Sequence, residues 1–227
     1  MPSVAALFRL LLSFAAPCFT VNAQAQIILS DFNSVATTTD GWQKYSGGDG
    51  GSSVSWTAIG GNGGTGGLVL NDAATGQNDY FDAPAKFLGN QSVFYGGTLS
   101  FDLLITSPVD LPEADNVVLT GNGVSISYNL LSYPVTTGFT SYSINLLENS
   151  GWFITGTSTA PSQSQMLSVL SNLTDLRILA DWHNGPENDV LDNVQLAAVP
   201  EPTRAALLLG CGALAFVRFA RRRQTHS

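Results

Sequence analysis

Short segments in which apolar and polar residues alternate limit the fold of this chain more than any other feature. Residues 99–105 place an apolar side chain at every second position, and residues 142–146 and 176–180 repeat the pattern. Residues 117–128 contain two further segments of this kind around a Gly-Asn-Gly sequence, as in a β-hairpin. Because the side chains of a strand point alternately to opposite faces, the pattern predicts strands with one buried face.

The other candidate strands are separated by Gly, Pro, Asn and Ser rather than by helical patterns. They span residues 27–32, 53–59, 67–71 and 190–196. One short helix is predicted over residues 162–170, where the apolar residues fall on one helical face. Strands spaced in this way, with turn residues between them, favour an all-β chain folded as an antiparallel β-sandwich.

Both cysteines lie in apolar segments near the ends of the chain, at Cys18 and Cys211. The residues between those segments therefore contain no disulfide and no thiolate nucleophile. The first segment has the organisation of a secretory signal peptide, with Arg9, an apolar stretch over residues 10–21 and Ala-Gln-Ala at residues 23–25. We predict that residues 1–25 are removed during export.

The C-terminal segment has the order of features expected of a removable membrane anchor. A Pro-Glu-Pro sequence precedes an apolar run over residues 205–217, and arginines follow it. At about 1.5 Å per residue the run forms roughly 20 Å of helix, whereas a hydrocarbon core is about 30 Å thick. A single transmembrane helix here would need bilayer thinning or flanking anchors. The arginines should stay cytoplasmic, which leaves the rest of the chain outside.

This C-terminal order resembles the PEP-CTERM sorting signal of Gram-negative bacteria. The resemblance implies anchoring in the inner membrane, recognition by an exosortase, and then release or transfer to the cell envelope or extracellular matrix. The sorting residues are Pro200, Glu201, Pro202, Arg221, Arg222 and Arg223. The chain then divides into a signal peptide (1–25), a central domain (26–198) and a sorting segment (199–227).

The charge of the central part is strongly negative. Residues 26–199 contain three Lys and Arg and sixteen Asp and Glu, which gives a formal charge of −13. Nucleic-acid binding requires the opposite sign, so it is excluded as a function. Cation binding, or solubility in a polysaccharide matrix, agrees better with this charge.

From Tyr80 onward the chain resembles the laminin IV type A domain, also called the laminin B domain. The most specific match is Gly-Gly-Thr-Leu-Ser-Phe-Asp-Leu at residues 96–103. The other matching stretches are residues 83–91, 117–123, 140–143, 170–178, Gly185 and 191–194. The resemblance implies a jelly-roll-like β-sandwich that serves as an extracellular adhesive or structural module. It brings no catalytic residues with it. The animal relatives carry this domain among cysteine-rich EGF-like repeats, which this chain does not contain.

The sequence offers little machinery for catalysis. His183 is the one histidine of the central part, and the chain contains neither a G-x-S-x-G nor an H-E-x-x-H motif. Glu113, Glu148 and Glu187 lie in loop-like sequence, and nothing specifies the paired carboxylates that a glycosidase needs. We therefore predict a non-enzymatic protein, and a cryptic glycan hydrolase ranks third among the candidate functions.

A structural calcium ion is predicted between the first and last strands. Asp192 shares strand parity with Val194 and Leu196, so it should point to the inner face or its rim, where a carboxylate is costly unless it is paired or bound to metal. Asp31 lies near the end of the first strand. Calcium prefers six to eight oxygen ligands, and further candidates are Asn33, Asp40 and Asn193. In the alternative, Asp192 only accepts backbone N–H bonds at a turn.

Carbohydrate binding is the second candidate function. Trp42, Trp56, Trp152 and Trp182 could include a platform on which a sugar stacks, or could be core residues of the sandwich. The sequence does not identify the binding residues. The preferred hypothesis is a secreted adhesion or matrix module whose partners are an exosortase, the membrane before cleavage, and exopolysaccharide or other envelope glycans.

Overall fold

The computed structural model describes residues 25–33, 38–45, 47–48, 50, 52–58, 60–73, 78–110 and 115–199. Within these, Ala25–Val199 forms one compact unit with one hydrophobic core. A unit with its own core can fold alone. Residues 1–24 of the predicted signal peptide, the sorting residues and the predicted transmembrane helix lie outside the described residues. None of the helices in the described residues has both the length and the apolar character needed to span a bilayer.

The unit is built from antiparallel strands and one short α-helix, as the alternating pattern predicts. The strands are β1 (Ile27–Ser30), β2 (Gln43–Lys44), β3 (Ser53–Thr57), β4 (Gly67–Asp72), β5 (Tyr80–Asp82), β6 (Thr98–Leu104), β7 (Val117–Gly121), β8 (Val124–Tyr128), β9 (Thr140–Asn145), β10 (Trp152–Ile154), β11 (Leu173–Leu179) and β12 (Glu187–Ala197). The helix is α1 (Gln163–Ser171). The all-β prediction is confirmed for the described residues.

Two six-stranded sheets form the sandwich. The first has the order β3-β4-β12-β6-β9, with β1 also paired to β12, and the second has the order β10-β8-β7-β11-β5-β2. Fully buried side chains from both sheets fill one core, among them Leu68 and Leu103 from the first sheet and Phe81 and Ile178 from the second. This packing leaves each sheet an outer face on which polar side chains can form a site.

Strand β12 organises the first sheet because it is long enough to pair with three neighbours. Its first half pairs with β4 and its second half with β1, while β6 runs along the other edge. A β-bulge interrupts the β6 pairing between Asp192 and Gln195. Asn193 within the bulge has φ of 51°, the left-handed conformation that asparagine tolerates better than most residues. The bulge decides which face each side chain of β12 reaches.

Helix α1 begins where the sequence predicts and is fixed by a capping box. The Ser162 side chain accepts from the backbone N–H of Gln165, and the Gln165 side chain accepts from the backbone N–H of Ser162. These reciprocal bonds satisfy donors that a helix N-terminus otherwise leaves unpaired. Met166, Val169 and Leu170 are buried, so the helix packs its apolar face against the sandwich.

Candidate functional site

The bulge places Asp192 on the outer face of the first sheet, contrary to the sequence prediction. Leu196 pairs with Leu99 on the core face, whereas Asp192 pairs with Asp102, which has the opposite parity. Directly paired residues lie on the same face of a sheet. Because the bulge adds a residue, Asp192 and Leu196 point to opposite faces, and the prediction that Asp192 faces inward with Leu196 is wrong.

Asp192 is fully buried on that outer face by the loop that precedes β4. Its Oδ2 accepts the backbone N–H of Asn62 at 2.8 Å, and its Oδ1 accepts the backbone N–H of Asn193 at 2.7 Å. The loop can approach this closely because residue 61 is glycine. A Cβ at Gly61 would lie 2.0 Å from the carbonyl oxygen of Gly66 and 2.7 Å from Oδ2 of Asp192.

Asp102 completes the network and was not predicted as a site residue. Its Oδ2 accepts from the side-chain amides of Asn62 at 3.0 Å and of Asn193 at 2.8 Å. Asn62 and Asn193 thus each donate to both Asp102 and Asp192, and none of these four donors is a lysine or an arginine. The signal in the sequence was a carboxylate, Asp102, at a polar position of an alternating strand. Its neighbours could not be found without the β6–β12 register.

Asp31 lies at the edge of the same network. It lines an open cavity of about 520 Å³ together with Asn33, Asp102, Asn193 and Gln195. The structure therefore gathers Asp31, Asn33 and Asn193 near Asp192. Asp40, another predicted ligand, lies elsewhere, where its carboxylate accepts from Ser30 and pairs with Lys86.

Burial and like charges act together on Asp192. Burial raises the pKa of Asp192 to about 6, the backbone N–H donors of Asn62 and Asn193 lower it, and the carboxylates of Asp102 and Asp31 raise it. A cation at this edge would favour the ionised carboxylates. Both oxygens of Asp192 already accept a backbone N–H bond, which agrees with the alternative that Asp192 only accepts such bonds at a turn. A carboxylate oxygen can accept more than one contact, so these bonds leave room for a cation.

The side chains of Glu148, His183 and Glu187, the candidates for catalysis that lie in the described residues, each contact different partners. Glu148 lines a separate cavity of about 570 Å³, in which it is the only acid among the described lining residues. Its Oε2 accepts from the Tyr95 hydroxyl at 2.7 Å. His183 lies 3.0 Å from Asp110, and Glu187 accepts two backbone N–H bonds. Glu113 lies outside the described residues.

Three of the four tryptophans are core residues. Trp42, Trp152 and Trp182 are each at most 1% exposed, so none of them presents a face on which a sugar could stack. Trp56 is partly buried and donates its indole N–H to the Phe32 carbonyl at 2.9 Å. The core interpretation of the tryptophans is thus confirmed for these three residues.

Comparison with known proteins assigns the chain to a family. The family model described as laminin B (domain IV) matches residues 80–207, more than half of the chain. The chain belongs to the laminin B (domain IV) family. The laminin B match begins at β5, so Asp102, Asp192 and Asn193 lie inside it, whereas Asp31 and Asn62 precede it.

Laminin subunits are among the similar proteins. The chain is 38% identical over 133 residues to laminin subunit gamma-2 of Equus caballus, which covers 56% of this chain and 11% of that protein. It is 38% identical over 122 residues to laminin subunit gamma-2 of Homo sapiens, which covers 52% of this chain and 10% of that protein. The chain thus spans about a tenth of the length of these relatives.

Solved structures support the fold of this laminin B domain. The L4b domain of human laminin alpha-2 superposes with a TM-score of 0.52 at 14% identity, covering 78% of this chain and 98% of that domain. An exo-beta-agarase superposes with a TM-score of 0.52 at 15% identity, covering 78% of this chain and 26% of that enzyme. At such identities the likeness concerns the fold alone.

Proposed function

We propose that this laminin B domain is a secreted, non-enzymatic adhesion or matrix module. The observation that carries the proposal is the laminin B match over residues 80–207. It is supported by the cavity beside Trp152, where Glu148 is the only acid among the described lining residues. The formal charge of −13 over residues 26–199 agrees with a soluble module in a polysaccharide-rich surrounding. The expected partners are exopolysaccharide or other envelope glycans.

We expect purified residues 26–199 to turn over no glycan, ester or peptide, because the resemblance to laminin B domains implies no catalytic residues and Glu148 is the only acid among the described residues that line its cavity. Release of reducing sugar, nitrophenol from model esters, and cleaved peptide would be measured against a boiled control. Glu148→Gln is the matched variant, since Glu148 is the acid that lines a cavity. A reproducible activity that this one substitution abolishes would overturn the proposal and favour the glycan hydrolase.

Export and sorting are further parts of the proposal. Residues 1–25 would direct secretion, and Pro200-Glu201-Pro202 with the following apolar run and arginines would hold the precursor in the inner membrane for an exosortase. The apolar run, between a Pro-Glu-Pro break and a basic end, is the feature that supports this role. The mature protein would then reside in the cell envelope or extracellular matrix.

Processing predicts a defined mass for the mature protein. In the native host the exported protein should lack Arg221, Arg222 and Arg223, because cleavage near Pro-Glu-Pro removes everything that follows. Intact-mass spectrometry of the envelope and matrix fractions checks this. Exchanging the three arginines for glutamines is the control, and it should leave the precursor uncleaved or misdirected. Recovery of an intact C-terminus from the mature fraction would contradict the sorting proposal.

A carbohydrate-binding module is the alternative function. The open cavity on the outer face of the first sheet favours it, because amides and carboxylates line it and can bond sugar hydroxyls. Stacking of a sugar on tryptophan would contribute little to such binding, since three of the four tryptophans are buried. A glycan array distinguishes the two functions: saturable binding that Asn193→Ala abolishes would favour this alternative.

A calcium ion held by Asp31 and Asp192 stays a prediction. Asn33 and Asn193 could contribute oxygens, and the raised pKa of Asp192 would be relieved by a cation. Its signature is a calcium response that Asp192→Asn removes, and this variant is one arm of the experiment in the next subsection.

A further inference from the structure

A second group of carboxylates lies at one end of the sandwich, apart from the Asp31 and Asp192 site. The β4–β12 register pairs Glu187 with Asp72 and Asp189 with Leu70. Because Leu70 is fully buried, Asp189 points into the interior, and so do Asp72 and Glu187. Asp181 follows the end of β11 in the other sheet. The four carboxylates therefore come from both sheets.

Three of the four groups are close together, the fourth, Asp189, interacts with all three by charge, and all four are almost inaccessible to water. Ligand oxygens of Asp72, Asp181 and Glu187 lie within 4.8 Å of one another. All four residues are at most 5% exposed, and Asp189 is at 0%. Two oxygens bound to one calcium ion at 2.3–2.6 Å can be at most about 5 Å apart, so this spacing suits a shared ion.

Two of these residues, Glu187 and Asp189, have buried oxygens that accept no hydrogen bond. Glu187 accepts the backbone N–H of Trp182 at 2.6 Å and of His183 at 2.9 Å, both through Oε1, and Oε2 has no hydrogen bond. Neither oxygen of Asp189 has a hydrogen bond of normal geometry, although the Thr106 amide faces it. An ionised carboxylate buried without a partner costs several kcal/mol.

The charges around Asp189 increase that cost. Burial raises the pKa of Asp189 well above its usual range, and the carboxylates of Glu187, Asp181 and Asp72 raise it further. Burial also raises the pKa of Glu187, and His183, whose ring pairs with Asp110, lowers it. Either protons or a metal ion must neutralise these groups, and oxygen-only ligands of this kind are preferred by hard divalent cations.

We propose that Asp72, Asp181, Glu187 and Asp189 bind one divalent cation, for which calcium is the best match, and that the ion ties the two sheets together. Calcium accepts several carboxylates in flexible geometry, whereas magnesium demands a near-ideal octahedron and dehydrates reluctantly. With no cysteine between residues 19 and 210, the ion would do what a disulfide does in other exported domains.

The test compares two buried aspartates of the same strand. Residues 26–199 are stripped with EDTA, and calcium binding is measured by calorimetry for the wild type, Asp189→Asn and Asp192→Asn. Both substitutions keep the shape and remove one charge from a fully buried side chain. We expect Asp189→Asn to lose one equivalent of calcium, or to bind it at least tenfold more weakly, while Asp192→Asn retains that equivalent.

Thermal melting adds a readout that a merely structural aspartate would not give. Calcium at about 100 times its Kd should raise the wild-type Tm by roughly 5–10 °C. In EDTA, Asp189→Asn should melt above the wild type, because only the wild type must bury a charge or take up a proton at this position when it folds, and in calcium the order should reverse. If Asp189→Asn does not fold, Asp181→Asn is measured in the same way.

Three results would overturn the site. These are no calcium binding by the wild type, a calcium response unchanged in Asp189→Asn, and a response lost in Asp192→Asn alone. The last would place the ion at Asp31 and Asp192 instead. Magnesium is the control for general screening of the acidic charge, and a magnesium shift as large as that of calcium would also count against a specific ion site.

Discussion

Replacing Trp152 with alanine is expected to lower the free energy of unfolding by about 3–5 kcal/mol. The Trp152 side chain is 1% exposed, packs against Tyr128 with ring centroids 5.4 Å apart, and donates its indole N–H to the Asn145 carbonyl at 2.8 Å. The substitution would leave a cavity and an unpaired carbonyl. For a domain of this size Tm should fall by roughly 6–20 °C.

Chemical denaturation of residues 26–199 measures this loss. Trp152→Phe is the control, because it keeps most of the apolar volume and removes the hydrogen bond, which should cost about 1 kcal/mol for the bond. If Trp152→Ala left stability unchanged but reduced binding to a glycan, Trp152 would be a ligand-binding residue and its assignment to the core would be wrong.

Asp82→Asn is expected to stabilise the domain at pH 8, by about 1–3 kcal/mol, and to have little effect near pH 4. Asp82 on β5 lies opposite Arg177 on β11 in the strand register, but Arg177 forms its ion pair with Asp175, whose carboxylate lies 2.7 Å from the Arg177 Nε. Burial, then the neighbouring Asp175 carboxylate, raises the pKa of Asp82 to about 6, and Arg177 lowers it only in part. An asparagine amide could donate to Asp175 where Asp82 requires a shared proton.

The direction of this pH dependence follows from the pKa of Asp82 in the folded and unfolded states. The pKa of Asp82 is about 6 in the folded protein and near its ordinary value of 3.8 in the unfolded chain, so protons bind the folded state first. The folded state is favoured fully below about pH 3.8, and this contribution is lost as the pH rises through about 6. The variant lacks this titration, so its advantage over the wild type should grow between about pH 3.8 and pH 6 and be complete above pH 6.

Urea unfolding of both proteins at pH 4, 5, 6 and 8, with EDTA throughout, measures the difference. Asp175→Asn is the matched control, and it should stabilise less because it removes the ion pair with Arg177. Destabilisation by Asp82→Asn at every pH would mean that Arg177 depends on the Asp82 carboxylate, contrary to the expectation.

The sequence predicted the long strands better than the short ones. Alternation over residues 99–105 and 142–146 located β6 and β9, since half-buried strands of this length repeat their pattern several times. Strands β2, β5 and β10 have two or three residues each and were missed. A segment so short shows at most one alternation, and its pairing depends on neighbours that are distant in sequence.

The candidate sites were only partly predictable because both depend on strand register. Asp31 and Asp192 were singled out and do lie near one another, but the bulge at Asp192 reverses the parity on which the inward orientation was based. The group around Asp189 was not predicted at all. Its signal was present as two acids, Glu187 and Asp189, at alternate positions of a strand. Their partners become neighbours only when β4 pairs with β12 and β11 ends beside them.

The pairing of β1 with β12 has a consequence for how this unit can be joined to other chains. Ile27 lies opposite Ala197, and the Ala198 N–H donates to the Gln26 carbonyl at 2.9 Å, so the two ends of the unit emerge side by side. A domain with adjacent termini can be inserted into a loop of another domain, because the two ends of that loop need not move apart to accommodate it. The same adjacency means that a force pulling the two ends apart would break the backbone hydrogen bonds between β1 and β12 one residue pair at a time. The force would not be shared among all of these bonds at once.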